Sequence, residues 1–108
     1  MIKTVFQLGS SLLDACVLAV LAKEDAYGYV LTQCVKEIID ISESSLYPVL
    51  RRLQKEGSLT TYDQPFQGRN RRYYSITEYG KSQLALYARE WQEYKAKVDH
   101  ILGGGIEP

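Results

Sequence analysis

The sequence ISESSLYPVLRRLQKEGSLTTYDQPFQGRNRRYYSIT, residues 41–77, predicts a helix followed by a β-hairpin. Its apolar residues recur at the three- and four-residue steps of one helix face, at Leu46, Val49, Leu50 and Leu53. Gly57 follows at a position where helices commonly end. Two strand-like runs then flank a polar, arginine-rich tip. Few folds contain these elements in this order.

Positive charge is concentrated in the same stretch. Between residues 51 and 72, two acidic residues, Glu56 and Asp63, accompany six basic ones, Arg51, Arg52, Lys55, Arg69, Arg71 and Arg72. Six minus two leaves plus four, and the whole chain has a net charge of zero, so the remainder carries minus four. A basic cluster of this kind is the electrostatic pattern of a phosphate-binding surface. The helix and the hairpin tip are therefore predicted to contact nucleic acid.

The length and composition indicate one globular domain. A chain of 108 residues with 45% hydrophobic and 24% charged residues can form a single core. So small a core leaves apolar surface uncovered, which favours oligomerisation.

Two cysteines and one apolar run bear on the cellular compartment. Cys16 and Cys34 fall among the apolar positions of predicted helices, which predicts buried thiols rather than a disulfide. The run 12–21 keeps helical spacing and contains Asp14, so it predicts a core helix rather than a signal peptide. No stretch approaches the roughly 18 apolar residues of a bilayer span. These features predict a cytoplasmic protein without membrane contact.

Three helices are predicted before the hairpin, from residue 10 or 11 to 22, at 26–38 and at 44–56. The start of the third helix depends on Pro48. If Ser44 or Ser45 caps the helix, Pro48 lies in or at the edge of the first turn, where proline is tolerated. If the helix starts at Ser42 instead, a bend is expected near Pro48.

The hairpin strands are predicted at 59–63 and 71–76. Tyr74 and Ile76 share one face of the second strand and are predicted to point into the core. The segment 64–70 is too long for a two-residue turn, so it predicts a flexible wing with Gly68 near its tip.

Residues 78–102 predict a long final helix with a heptad-like seam of Leu84, Tyr87, Trp91, Tyr94, Val98 and Ile101. At 1.5 Å per residue this helix is about 38 Å long. A domain of this size cannot cover such a helix by itself. The seam therefore predicts a homodimer joined along this helix about a two-fold axis.

Several short motifs follow one another between about residues 11 and 95. They are Tyr27-Gly28-Tyr29, Leu46-Tyr47-Pro48 with Leu50 and Arg52-Leu53, Glu56-Gly57, Arg71-Arg72-Tyr73-Tyr74 and Thr77-Glu78-Tyr79-Gly80. In these motifs the chain resembles the PadR-like transcriptional regulators, of the shorter kind with a single C-terminal dimerisation helix. The fold expected is mainly α with a small two-stranded antiparallel hairpin. It comprises a winged helix-turn-helix region at 1–76, the dimerisation helix at 77–102 and a flexible tail at 103–108.

The resemblance implies a homodimeric bacterial repressor that binds a pseudo-palindromic operator in double-stranded DNA. The positions that match the recognition helix are Ser44, Ser45, Tyr47, Pro48 and Arg51, and those that match the wing are Arg69, Asn70, Arg71 and Arg72. Arg51 is the best candidate for a base contact, because its guanidinium can pair with guanine O6 and N7. Arg52 and Lys55 are further candidates, or they point to water beside Glu56. The wing arginines have an alternative role in preventing edge-to-edge strand pairing.

Trp91 has two interpretations, an anchor of the dimer interface or the platform of a ligand pocket. Multidrug-responsive relatives imply a flat pore at the dimer centre for a small aromatic or apolar effector. The matching positions are Asp14, Ala15, Leu18, Trp91 and Lys95. Lys95 differs from the acidic residue of those relatives, so no preference for cationic ligands is inferred.

Two other classes of function compete with repression. A winged helix can also bind protein through its third helix, although the basic cluster favours phosphate contact. An enzyme is disfavoured, because His100 is the only histidine and the adjacent Asp99 points to a different side of the helix. The sequence contains no phosphate-binding glycine loop or metal-ligand motif. It therefore predicts no catalytic residue, metal or cofactor.

Overall fold

The computed structural model of the chain describes residues 10–39 and 41–105, which form four helices and one small sheet. The helices are α1 (Ser10–Lys23), α2 (Gly28–Ile38), α3 (Glu43–Lys55) and α4 (Glu78–Leu102). The strands are β1 (Ala26–Tyr27), β2 (Leu59–Phe66) and β3 (Arg69–Ile76), and the antiparallel sheet has the order β1-β3-β2. The four predicted helices are confirmed. We call β2, β3 and their connecting turn the wing.

An apolar core lies between the first three helices and the inner face of the sheet. Its most deeply buried members include Val17, Leu18, Leu21, Leu31, Leu46, Leu50, Leu53 and Leu59. The α3 stripe predicted from the sequence, Leu46, Val49, Leu50 and Leu53, is buried throughout. Tyr74 and Ile76 pack on the same core, which confirms the predicted inner face of β3.

The predicted antiparallel hairpin is confirmed as β2 and β3, but the sheet has a third strand, β1, that was not predicted. β1 pairs Ala26 with Tyr74 and Tyr27 with Tyr73. A strand of two residues is too short to show an alternating pattern, and its partner lies far along the chain. Through β1, the start of α2 is joined directly to the wing.

The hairpin is longer and tighter than predicted. β2 and β3 stay paired as far as Phe66 and Arg69, and only Gln67 and Gly68 form the turn. Both turn residues have positive φ, 52° and 77°, as in the two-residue turns that match the twist of a hairpin. The prediction that 64–70 is too long for a two-residue turn is therefore wrong, although Gly68 does lie at the tip. Proline is uncommon inside strands, so Pro65 argues against a strand at this position. It is tolerated because β2 is at the edge of the sheet.

Ser42 caps α3. Its hydroxyl oxygen accepts a hydrogen bond from the backbone N–H of Ser45 at 3.3 Å. The helix thus has the earlier of the two predicted starts, and Pro48 lies inside it rather than in its first turn. The bend near Pro48 that was expected for this start stays a prediction.

The end of α3 is joined to the start of α4 at the base of the wing. Gly57 ends α3 with a φ of 88°, at the position predicted from the sequence. The Thr77 backbone N–H donates to the Ser58 carbonyl at 3.0 Å, and the Thr77 hydroxyl donates to the Gly57 carbonyl at 2.6 Å. The same hydroxyl caps α4 by accepting from the Gly80 N–H at 3.0 Å.

Among the described residues, the first part of α4 packs on the core of its own chain. Leu84 and Tyr87 contact that core, whereas the seam residues after them are exposed or half-buried. After α4, the Gly105 N–H donates to the His100 carbonyl at 2.8 Å. The predicted flexible tail begins in this turn, and its residues 106–108 lie outside the described residues.

Candidate nucleic-acid interface

The outward face of α3 carries the residues expected to recognise DNA. Ser44, Ser45, Tyr47, Pro48 and Arg51 are all exposed, because the apolar stripe of the same helix faces the core. Tyr47 is 40% exposed in spite of its size. The helix therefore presents hydroxyls, an aromatic ring and a guanidinium outward from one surface.

Arg51 and Lys55 have no carboxylate partner in the part of the chain that the structure describes. Among residues 10–39 and 41–105, no carboxylate oxygen lies within 4.0 Å of either side chain. Both residues are exposed. A charge left uncompensated at the surface attracts phosphate more strongly than one already paired with a carboxylate.

Arg52 belongs to a different environment from its neighbour Arg51. Its guanidinium donates to both carboxylate oxygens of Asp14 on α1, with 3.0 Å between Nη1 and Oδ2, and it contacts Glu56 at 3.4 Å. Asp14 is only 3% exposed. These hydrogen bonds, those to Asp14 above all, raise the pKa of Arg52 further above its usual range.

The pair of Arg52 and Asp14 joins α1 to α3. The contact with Asp14 was not predicted for Arg52, although the predicted position beside Glu56 agrees with the 3.4 Å contact, and a contact with DNA stays a prediction. The two residues are 38 positions apart, so no helical spacing indicates the contact. A charged residue inside an otherwise apolar run, Asp14 in this chain, is the one sequence signal that points to a buried partner.

The wing residues differ in how their side chains are held. Arg72 lies 3.6 Å from Asp63 on the neighbouring strand, measured between Nε and Oδ1. Arg69 and Asn70 are exposed beside the turn, and within the described ranges no carboxylate pairs with Arg69. The charge of Arg69 is thus more available to DNA than that of Arg72.

The outer face of the wing is aromatic, a feature absent from the sequence-based predictions. Tyr62 and Tyr73 stack with ring centroids 5.4 Å apart, and Tyr27 packs edge-on against Tyr73 at 5.5 Å. Arg71 lies over the Tyr27 ring. The Tyr62 hydroxyl donates to Asp25 at 2.7 Å, and this hydrogen bond raises the pKa of Tyr62. The alternation along β3 could have shown that Arg71 and Tyr73 share a face.

A second candidate site is an open apolar groove of about 690 Å³ between α1 and α4. It is lined by Ser11, Leu12, Ala15, Cys16, Ala19, Ile39, Leu84, Tyr87, Ala88, Glu90, Trp91 and Tyr94. Of the five predicted effector residues, Ala15 and Trp91 line the groove. Asp14 and Leu18 are buried instead, and Lys95 pairs with Asp99 at 3.2 Å. The i, i+3 and i+4 spacing of Leu12, Ala15, Cys16 and Ala19 would have identified the correct face of α1.

The predicted seam of α4 continues from this groove. Leu84 and Tyr87 form its wall and also pack on the core, and burial, together with the charge of Asp14, raises the pKa of Tyr87. Trp91 is 39% exposed and Tyr94 62%. Ile101, near the end of the helix, is 55% exposed, and Val98 is half-buried. Apolar side chains therefore extend beyond the part of α4 that the described core of this chain covers.

Cys16 and Cys34 are thiols, as predicted, and no disulfide joins them. Both are half-buried rather than fully buried, since they border concave surface beside α1. Burial raises the pKa of Cys16. A thiol with a raised pKa is less reactive than an ordinary one.

Metal ligands and membrane spans are two further features that the described ranges lack. In 10–39 and 41–105, no three histidine, cysteine, aspartate or glutamate side chains come together as metal ligands. None of the helices in these ranges combines the length and the apolar character needed to cross a bilayer.

Comparison with known proteins identifies related regulators. Residues 17–86 match the model of the transcriptional regulator PadR-like family. A solved structure from Streptococcus mutans UA159 is 40% identical with a TM-score of 0.88, covering 97% of this chain and 99% of that one. A PadR-like transcriptional regulator from Bacillus cereus is 33% identical with a TM-score of 0.78, covering 85% and 92% respectively. A transcriptional regulator of Mycobacterium tuberculosis is 32% identical over 89 residues, which are 78% of this chain and 83% of that protein.

Proposed function

The chain belongs to the PadR-like family of transcriptional regulators, and we propose that it represses transcription by binding a pseudo-palindromic operator as a homodimer. This family consists of regulators rather than enzymes, which confirms the expectation that the chain is not an enzyme. The observation that carries the proposal is the outward face of α3, where Arg51 and Lys55 are exposed and unpaired among the described residues. In a dimer, two such faces about one DNA turn apart, near 34 Å, would meet two half-sites.

The side chains of α3 and the wing suit different parts of the DNA. The Arg51 guanidinium can donate two hydrogen bonds to guanine O6 and N7 in the major groove. Ser44 and Ser45, in the first turn of α3, can donate to phosphate, as can Arg69 at the tip of the wing. The base contact supplies the sequence preference, and the phosphate contacts supply most of the salt-dependent affinity.

Arg51→Ala is expected to weaken binding to DNA from the chain's own promoter region by about 1–3 kcal/mol, with a smaller effect on random DNA. Arg69→Ala is the matched control, because it is expected to weaken binding to both DNAs alike. It should also lower the slope of log K against log salt by about 0.9 for each phosphate that the variant no longer neutralises. Fluorescence anisotropy with both DNAs measures these effects.

Two results would contradict the proposal. A wild-type protein without preference for the promoter DNA would not be a sequence-specific repressor. Binding of a partner protein with little dependence on salt, in place of salt-dependent DNA binding, would favour the winged helix as a protein-interaction module.

The proposed dimer is formed along α4 and across the groove beside α1. Its support is the exposed second half of the seam, where Tyr94 and Ile101 do not pack on the described core of their own chain. An apolar helix face of this kind is typically covered by a second copy of the chain.

Tyr94→Glu combined with Ile101→Glu is expected to convert the dimer into a monomer and to weaken DNA binding. The fold of the single chain should persist, because both side chains are more than half exposed. Light scattering after size exclusion measures the mass, and circular dichroism measures the fold. Lys97→Glu is the control, since Lys97 is exposed on the same helix outside the seam. A wild-type protein that is monomeric at micromolar concentration would refute this part of the proposal.

The proposal includes release from DNA by a small aromatic or apolar effector. Its support is the apolar lining of the groove, to which Ala15 and Trp91 both contribute and which a second copy would face. A flat molecule would then lie between two indole rings. Such an effector releases DNA only to the extent that it binds the DNA-incompetent arrangement more tightly.

A further inference from the structure

The Arg71 side chain is held on the outer face of the wing by two aromatic rings and a backbone carbonyl. Its Cζ atom lies 4.7 Å from the centroid of the Tyr27 ring and 5.7 Å from that of Phe66. Its Nε donates to the Phe66 carbonyl at 3.2 Å. Within 10–39 and 41–105, no carboxylate oxygen lies within 4.0 Å of this guanidinium, and its two terminal nitrogens make no hydrogen bond. Four N–H groups thus remain available.

This environment differs from those of Arg52 and Arg72, two arginines that pair with carboxylates. Arg52 is held by Asp14 and Glu56, and Arg72 lies beside Asp63. A carboxylate fixes a guanidinium but also cancels much of its charge toward a third group. Aromatic faces and a carbonyl attract the cation without any net negative charge, so Arg71 is fixed while its charge persists.

The two rings come from different parts of the fold. Tyr27 lies in β1 and pairs with Tyr73, the residue that shares a face of β3 with Arg71. Phe66 is the last residue of β2, directly before the turn, and its ring centroid is 5.8 Å from that of Tyr27. We call these two rings and the Phe66 carbonyl the aromatic cradle. Because β1 leads into α2, the cradle connects the wing to the helical part of the domain.

We propose that the aromatic cradle positions Arg71 for contact with a DNA phosphate, with Tyr27 and Phe66 as the positioning residues. The inference rests on the proposed DNA-binding function and adds two residues outside the basic cluster to it. An arginine ordered before binding loses less rotamer freedom when it meets the phosphate. Its four remaining donors can reach two oxygens of one phosphate group at once.

The test measures binding to a short duplex of random sequence over a salt series, since phosphate contacts dominate non-specific binding. Arg71→Met is expected to weaken binding and to reduce the salt slope by about 0.9 if Arg71 neutralises one phosphate. Tyr27→Leu is expected to weaken binding about two- to fivefold, with a nearly unchanged slope. Tyr27→Phe, which keeps the ring, should bind as the wild type does.

Matched variants separate positioning from a general effect on the wing. Tyr62→Leu removes a ring from the same face that is as exposed as Phe66, 39% against 40%, and that does not hold Arg71, so binding should persist. Phe66→Leu removes the second ring of the cradle from an exposed strand end, and it provides the same test if Tyr27→Leu does not fold. Tyr27→Leu added to Arg71→Met should cause no further weakening.

Three outcomes would overturn the inference. An unchanged salt slope in Arg71→Met would show that Arg71 does not reach a phosphate, and the repressor proposal would survive if Arg51→Ala still impaired promoter binding. An equal weakening by Tyr27→Leu with and without Arg71 would show that the ring acts on the wing as a whole. A wild-type protein without salt-dependent DNA binding would overturn both proposals.

Discussion

Replacing Gly80 by alanine is expected to destabilise the folded chain by about 3 kcal/mol and to lower Tm by roughly 10–20 °C. A Cβ atom at this position would lie 2.3 Å from the carbonyl oxygen of Ser58 and 2.7 Å from Cγ1 of Ile76. The Ser58 carbonyl cannot simply turn away, because it accepts the Thr77 N–H at 3.0 Å. The first turn of α4 would have to move off the base of the wing.

Thermal and urea unfolding followed by circular dichroism measure this effect. Gly28→Ala is the control, because the nearest atom to its added Cβ is in the ring of Tyr74 at 3.8 Å, an ordinary contact. We expect Gly28→Ala to change stability by less than about 1 kcal/mol. Equal stability of the two alanine variants would show that the close approach of Gly80 to Ser58 does not constrain the fold.

Replacing Arg52 by leucine is expected to destabilise the chain by about 2–4 kcal/mol, because it leaves the Asp14 carboxylate buried and unpaired. Asp14 is 3% exposed, and Arg52 provides its hydrogen bonds from α3. The guanidinium side of the pair is partly exposed, so water can replace part of the interaction that the variant removes. For that reason the expected destabilisation extends below the range for fully buried pairs.

Two controls make this prediction specific to the pair. Arg51→Leu changes the neighbouring arginine, which has no carboxylate partner among the described residues, and should alter stability by less than about 0.5 kcal/mol. Asp14→Leu added to Arg52→Leu removes the unpaired charge and should restore part of the stability. If Arg52→Leu were as stable as Arg51→Leu, the ion pair would not contribute to joining α1 and α3.

The ion pair joins residues that are next in sequence to members of both candidate sites. Asp14 precedes Ala15 of the groove, and Arg52 follows Arg51 of the recognition face. Tyr87, which lines the groove, has its pKa raised first by burial and then by the charges of Asp14 and Glu56. The carboxylate of Asp14 thus acts on a residue of the groove wall while it is held by Arg52 of α3.

Helices and their ends were predictable because their signals are local. The apolar stripe that ends at Leu53 follows the period of a helix, and Gly57 adopts the positive φ that glycine permits at a helix end. The bounds of α4 agree with the prediction at both ends, where Thr77 caps its start. Each of these features depends on residues within a few positions of one another.

Features that depend on distant partners were not predictable from spacing. β1 is recognisable only from its pairing with β3. Predicting the two-residue turn at Gln67 depends on placing Pro65 in an edge strand, which only the order of the strands shows. The groove illustrates the same limit, since Leu18 was assigned to it from resemblance but faces the core.

The amino-acid sequence alone determined the order of helices and hairpin, the basic cluster and the apolar seam of α4, because each is a periodicity or a charge count along the chain. Only the tertiary structure distinguished the arginines. It paired Arg52 with a carboxylate 38 residues away and placed Arg71 over two rings, while Arg51 remained exposed. The charge of a guanidinium is a property of its residue type, but whether that charge is cancelled, held or exposed depends on which side chains folding brings beside it.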